Sequence, residues 1–284
     1  MTVELWIPDS GEIVANPRRA GNSQVGSLFI EHSPLITVVI PTLNEALNLP
    51  HVLPKIPRWV HEVILVDGYS TDDTVNVARQ LRPDIRVVMQ KGKGKGDALR
   101  TGFAAAAGDI IVMLDADGSM DPSEMPAYIG ALLSGADYAK GSRFVQGGST
   151  HDMEWYRYVG NWGLGRLVWM LFGGRYTDLC YGYNAFWKSV LPDIRLDADG
   201  FEIETLMNIR VLALKFKVVE IFSHEAPRIN GVSNLHTIRD GWRVLKTIFK
   251  EWITFVGHPP QLKEQSTVSR SKQLAPMKQW AMKQ

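Results

Sequence analysis

Four apolar runs, Leu35 to Ile40, Val63 to Val66, Ile85 to Gln90 and Asp109 to Leu114, are separated by polar stretches long enough for a helix and too long for hairpin turns. Parallel strands need crossovers of a dozen or more residues, usually helical, so this rhythm predicts a mainly parallel α/β sheet flanked by helices. Ligands of such sheets bind beyond the carboxyl ends of the strands. The turns Pro41 to Glu45, Asp67-Gly68, Lys91 to Gly96 and Asp115 to Asp117 therefore belong to one edge. Helices are expected through the fifties, from Ser70 to about Leu81, and from about Asp97 to Ala107.

Asp115 and Asp117 sit one residue apart at a strand end. Two carboxylates so close repel unless a cation or strong donor neutralises them, and hard oxygen ligands suit magnesium or manganese carrying a diphosphate. Asp-x-Asp is also an ordinary turn and cap sequence, so the pair gains specificity only from the turns around it. The Lys91-Gly92-Lys93-Gly94-Lys95-Gly96 repeat reads either as a solvated loop or as a phosphate cradle. In the second reading glycine lets the backbone approach, lysine supplies charge, and the next helix offers free N–H groups. Neither a P-loop ending nor a Gly-x-Gly-x-x-Gly follows a strand, which removes the best evidence for an ATPase or a dinucleotide enzyme.

Ile40-Pro41-Thr42-Leu43-Asn44-Glu45, Val66-Asp67-Gly68-Tyr69-Ser70-Thr71-Asp72-Asp73-Thr74, Gly94-Lys95-Gly96-Asp97-Ala98-Leu99, Asp115-Ala116-Asp117 and Gly141-Ser142-Arg143-Phe144 occur in an order and spacing that resembles glycosyltransferase family 2. Within it the chain looks most like the dolichyl- or polyprenyl-phosphate sugar transferases. The resemblance implies a GT-A fold, a nucleotide-diphosphate sugar donor, Mg2+ or Mn2+, and inversion at the anomeric carbon. It further implies that Pro41, Thr42, Leu43, Asn44, Glu45, Asp67 and Gly68 hold the nucleoside and that Lys95, Gly96 and Asp97 border the donor. Asp115, Ala116 and Asp117 would then meet metal and diphosphate, with Asp115 and Asp117 as ligands. The chain departs from such relatives where Gly118-Ser119 replaces Leu-Gln and Gly68 replaces a second acid.

Beyond Arg143 the chain turns aromatic. Trp155, Trp162 and Trp169 recur every seven residues on one slowly drifting helical stripe, which fits either core packing or an amphipathic segment lying in a membrane interface. Gly160, Gly163 and Gly165 count against a long regular helix. Thr177 to Phe186 is similar to the segment that closes the acceptor side in these transferases, with Asn184 where arginine is common. Glu202 and Glu204 open a helix as dipole-compensating acids or, in relatives with sugar acceptors, as a base. Arg228 to Leu235 resembles a polyprenyl-phosphate clamp in which Arg228, Ser233 and Asn234 meet the acceptor, Asn234 replacing a frequent lysine. Arg143 and Arg228 would hold the incoming phosphate. His224 and His236 flank the clamp without a partner acid in evidence. Val218 to Ile221 reads as a strand and Arg239 to about Val256 as an amphipathic helix.

Residues 1–34 read as an irregular extension, 35–258 as the catalytic domain (35–143 the nucleotide-sugar half, 144–258 the acceptor half) and 259–284 as a basic, disordered tail. A formal charge of +1 over 284 residues gives no field for nucleic acid as main partner. Cys180 is the only cysteine, which excludes an intramolecular disulfide or a cysteine metal cage. No run approaches the ~20 apolar residues of a spanning helix and no signal peptide is evident. The expectation is a cytoplasmic enzyme with peripheral contact at the cytoplasmic membrane face. Three readings follow: transfer of a hexose (from GDP-mannose or a UDP-hexose) to a polyprenyl phosphate, transfer to a soluble hydroxyl acceptor with Glu204 or Glu202 as base, or a silent nucleotide-binding scaffold.

Overall fold

In the computed structural model, residues 33–151, 153–232 and 235–257 are described. The expectations for the N-terminal extension up to residue 32, the tail, Ser233 and Asn234 lie outside them. In chain order the elements are β1 (Ile36–Thr42), α1 (Leu49–Val52), β2 (Glu62–Asp67), α2 (Thr74–Leu81), β3 (Arg86–Met89), α3 (Lys95–Ala105), β4 (Ile110–Met113), α4 (Met125–Leu133) and β5 (Tyr138–Ser142). They continue with β6 (Ser149–Thr150), α5 (Trp155–Phe172), β7 (Asn184–Trp187), α6 (Leu191–Ile194), α7 (Glu202–Ala213), β8 (Val218–Phe222), β9 (His224–Glu225) and α8 (Thr237–Gly257).

The apolar runs form a seven-stranded sheet in the order β3-β2-β1-β4-β7-β5-β8. All pairings are parallel except those of β7, which runs antiparallel between β4 and β5. Thr42 lies beside Asp67, and Asp67 beside Met89, so the carboxyl ends of β1, β2 and β3 come level. Because β7 is reversed, its start at Asn184 meets the end of β4 at Met113, which brings the loop before it to the same edge. Val38, Ile64, Leu65 and Val112 are fully buried between the helical layers. Each such side chain contributes roughly 1.5–3 kcal/mol of burial free energy.

The helix expected through the fifties is reduced to the four residues of α1 and a short 3-10 turn, Leu53–Lys55. Pro50, Pro54 and Pro57 remove backbone donors there, and Pro54 and Pro57 break any continuous run. The opposite happens in α5, which is continuous over 18 residues despite its three glycines. Its inward side chain Val168 joins Tyr176, Leu179, Ile209, Val244 and Ile248 in a second apolar cluster shared with α7 and α8, and this packing outweighs weak helix propensity. Arg210 of α7 fastens α8 through a two-pronged pair with Glu251, Nη2 to Oε1 at 2.7 Å and Nε to Oε2 at 2.8 Å.

Candidate active site

The turns at the sheet edge enclose a cavity of about 420 Å³. Pro41, Thr42, Leu43, Glu45, Gly68, Lys95, Asp115, Ala116 and Asp117, from the turns that the sequence places at this edge, line the cavity. Arg143, Glu204 and Arg228 line it too. The other predicted donor residues stand behind this surface. Asn44 accepts from Thr71 N at 2.7 Å while its own N–H donates to Ser70 Oγ at 2.9 Å, locking the loops after β1 and β2 together. Asp67 accepts from Ser70 N at 2.9 Å through one oxygen, and its other oxygen is buried without a partner. A buried acceptor left open is costly unless a ligand donor completes it. Asp97 pins the Lys-Gly loop by accepting from Gly92 N at 2.6 Å. Gly96 donates to Asp199 O at 2.8 Å, and a Cβ there would come within 2.2 Å of Ala198 O, so only glycine lets the two chains approach. Glu202 opens α7 and faces a neighbouring cavity.

Lys91 and Lys93 of the repeat are exposed, whereas Lys95 turns inward. Its Nζ lies 2.7 Å from Asp115 Oδ1, 2.8 Å from Asp115 Oδ2 and 2.6 Å from Glu204 Oε1. Burial works against the ammonium charge, but Asp115 and Glu204 outweigh it and hold Lys95 well above the usual lysine range. For Asp115, burial raises the carboxyl pKa, Lys95 pulls it back, and Glu204 and Asp117 raise it again, leaving it at about 6. Arg228 bridges Glu45 and Asp117, reaching Asp117 Oδ2 from Nη1 at 3.4 Å. Its segment straps over the turn, with Ala226 N donating to Ser119 O at 2.9 Å and Ile229 N to Asp117 O at 3.3 Å.

Arg143 differs from the sequence expectation of a free phosphate holder. Its side chain is 4% exposed, with Nε and Nη2 donating to Asp178 at 2.6 and 2.9 Å and Nη1 donating to both Glu225 oxygens at 3.0 Å. Asn184 is buried in β7, donating to Gly182 O at 3.2 Å. His224 shares a hydrogen bond with Ser149 Oγ at 2.8 Å, and His236 donates its backbone N–H to Asp240 at 2.8 Å.

The sequence reading missed several lining residues, among them Gln90, Met120 and Phe201, whereas Tyr181 and Gly182 belong to the Thr177 to Phe186 segment. It also left open where the aromatic stripe points. Trp155, Trp162 and Trp169 are 78%, 61% and 41% exposed, which rules out core packing for all three. Trp242, Ile238, Ile253 and Val256 of α8 are exposed alongside. Arg166 stacks over Trp169 at 4.7 Å and Lys246 over Trp242 at 5.6 Å. Tyr156, Gly160 and Leu164 of α5 with Gly241 and Val244 of α8 also line the cavity.

Asp115 and Asp117 are the metal candidates. Among the described residues no group of three His, Cys, Asp or Glu side chains forms a cage. Two carboxylates at a pocket wall nonetheless fit magnesium or manganese, which keeps waters and takes substrate phosphate oxygens to complete its shell.

The pattern of Glycosyl transferase family 2 matches residues 37–195. The chain is 33% identical over 210 residues to a dolichol-phosphate mannosyltransferase of Pyrococcus furiosus, covering 70% of this chain and 59% of that protein. It is 32% identical over 230 residues to a polyprenol monophosphomannose synthase of Mycolicibacterium smegmatis, covering 76% and 85%. In fold it is similar to glucosyl-3-phosphoglycerate synthase from Mycobacterium tuberculosis, crystallised with Mn2+, uridine diphosphate and glucosyl-3-phosphoglycerate. That match has a TM-score of 0.61 and 22% identity, and covers 77% of this chain and 80% of the other. The mostly parallel sheet flanked by helices is that of the GT-A fold, and the chain belongs to glycosyl transferase family 2.

Proposed function

We propose that the protein transfers a hexose from a nucleotide-diphosphate sugar to a polyprenyl phosphate at a membrane surface, with inversion and with a divalent cation at Asp115 and Asp117. The observation that carries the reading is the lining of a single cavity, which includes these carboxylates together with residues of α5 and α8, two helices that also expose tryptophan. Indoles and arginines are both at home in a bilayer interface, so an acceptor phosphate can reach the donor while its prenyl chain stays among apolar side chains. Among the described residues no helix is long and apolar enough to cross a membrane, which agrees with helices that lie on one. The names of the two relatives support the acceptor, and the metal in the solved neighbour supports the cation.

In this reading the open oxygen of Asp67 accepts from a base N–H and Lys95 faces the diphosphate. The cation supplies charge neutralisation of the leaving group when bound. An acceptor phosphate oxygen attacks the anomeric carbon as the bond to the diphosphate oxygen breaks, and a phosphate is already ionised, so no base is required. Arg228 meets the incoming phosphate. Arg143 stands in the wall with its nitrogens engaged by Asp178 and Glu225, where it shapes the acceptor side.

One feature favours the soluble-acceptor reading: Glu204 reaches the cavity, where a base for a hydroxyl would be needed. The deciding experiment incubates the full chain with manganese, a panel of labelled nucleotide sugars, and either a short polyprenyl phosphate or 3-phosphoglycerate. Label that moves into an organic phase only with the prenyl acceptor supports the proposal. Label found only in a water-soluble product supports the alternative.

A further inference from the structure

Each of the two strand-end carboxylates is matched to a cation that has a second acid to fall back on. Lys95 bridges Asp115 and Glu204, and Arg228 bridges Asp117 and Glu45. On the Lys95 side one ammonium spans both oxygens of Asp115. A divalent ion bound to Asp115 would face that ammonium across a few ångströms in a partly desolvated pocket, where like charges repel strongly. Lys95 and the ion therefore compete for Asp115. Backbone placement reinforces the arrangement, because a Cβ at Gly182 would lie 2.6 Å from Glu204 Oε1, 3.2 Å from Lys95 Nζ and 3.3 Å from Asp115 Oδ2. The chain closes over all three groups at once and holds them in one cluster.

We propose that Lys95 keeps the cation's place at Asp115 in the unloaded protein, and that Glu204 is the positioning residue toward which Lys95 withdraws when the cation arrives. This rests on the reading of Asp115 and Asp117 as the metal-binding pair. Glu204 acts through Lys95 and not on the acceptor: it holds the ammonium beside the diphosphate after Asp115 has been given up. The Arg228 and Glu45 pair stands in the same relation to Asp117.

The test is manganese binding to the nucleotide-free full chain, read by the electron paramagnetic resonance of free manganese in wild type, Lys95→Gln and Glu204→Gln. The two substitutions are expected to act with opposite sign. Lys95→Gln removes the competitor and tightens manganese by at least about fivefold, the low end of coupling between neighbouring binding events. Glu204→Gln strips Lys95 of its alternative partner and weakens manganese by a similar factor. Should Glu204→Gln fail to fold, as judged by near-ultraviolet circular dichroism, Glu45→Gln is expected to weaken manganese in the same direction through Arg228. A merely structural role for the cluster weakens binding in both Lys95→Gln and Glu204→Gln, and that result overturns the proposal while leaving the metal pair standing. Absence of manganese binding in every variant and the wild type removes the metal pair itself, and the proposal with it.

Discussion

Asn48 and Asn230 bind each other reciprocally across the site: Asn230 N donates to Asn48 Oδ1 at 2.9 Å, and Asn48 Nδ2 donates to Asn230 O at 3.2 Å. Asn48 also donates to Glu45 Oε2 at 2.5 Å, so one side chain orients both the strap that carries Arg228 and the acid that Arg228 grips. Asn48→Ala is expected to cost about 1.5–4.5 kcal/mol of stability, at a net ~0.5–1.5 kcal/mol for each of the three lost bonds. Through Arg228 it should also lower kcat/KM by roughly tenfold, equivalent to about 1.4 kcal/mol. Urea unfolding together with steady-state kinetics checks both. Lost stability with unchanged kcat/KM would detach the strap from catalysis.

The buried Arg143 and Asp178 pair predicts a pH dependence of stability. Burial raises the Asp178 carboxyl, but the charge and hydrogen bonds of Arg143 more than reverse this and hold it below its ordinary 3.8. The unfolded chain then takes up the proton first as pH falls, so the stabilisation is present above about pH 4 and drains away through the lower folded value. Asp178→Asn should cost about 3–5 kcal/mol near neutral pH, since it leaves a buried guanidinium short of a partner. The gap to wild type should narrow below about pH 4. Urea midpoints taken across that range measure it, and a gap of constant size would contradict the assignment.

Asp67 carries the prediction for the nucleoside. Loss of a hydrogen bond from a base to a charged acceptor costs roughly 1.5–3 kcal/mol, so Asp67→Ala should raise donor KM by about 10- to 100-fold with a smaller change in kcat. The measurement is donor KM at saturating acceptor. An unchanged value would place the base elsewhere.

The exposed faces of α5 and α8 predict membrane attachment. Trp162→Ala combined with Trp242→Ala removes two indoles that make little of the core, so stability should change by less than about 1 kcal/mol. Binding to vesicles containing anionic phospholipid should fall by at least about tenfold, or 1.4 kcal/mol. The remaining binding should weaken with salt, because exposed charge is screened over ~8–10 Å. Sedimentation with sucrose-loaded vesicles gives the numbers, and equal binding by wild type and variant would remove these helices from the interface.

The first half of the sheet was legible in the sequence because its strands are continuous apolar runs whose following turns reach one edge. Asp115, Asp117 and Lys95 are found in this way. Strand β7 was not legible, since Asn184–Trp187 is four residues long, reversed, and defined by partners on both sides. The state of Arg143 was equally hidden: Asp178 and Glu225 lie 35 and 82 residues away, and no local pattern announces them. Asn48 and Asn230 are 182 residues apart. For the tryptophan stripe the seven-residue repeat fixed the helix face, but whether that face met protein or solvent depended on where α8 packs.

The central claim is a phosphate acceptor, and the rates of Glu204→Gln and Arg228→Ala with a polyprenyl phosphate test it most directly. An ionised phosphate needs no base, so Glu204→Gln should lower kcat by well under the ~10²–10⁴ that loss of a general base brings. Arg228→Ala should fall by at least about 100-fold, because it removes the cation that meets the incoming phosphate beside a negatively charged donor. A dead Glu204→Gln beside a nearly normal Arg228→Ala would contradict the account and assign the enzyme a hydroxyl acceptor.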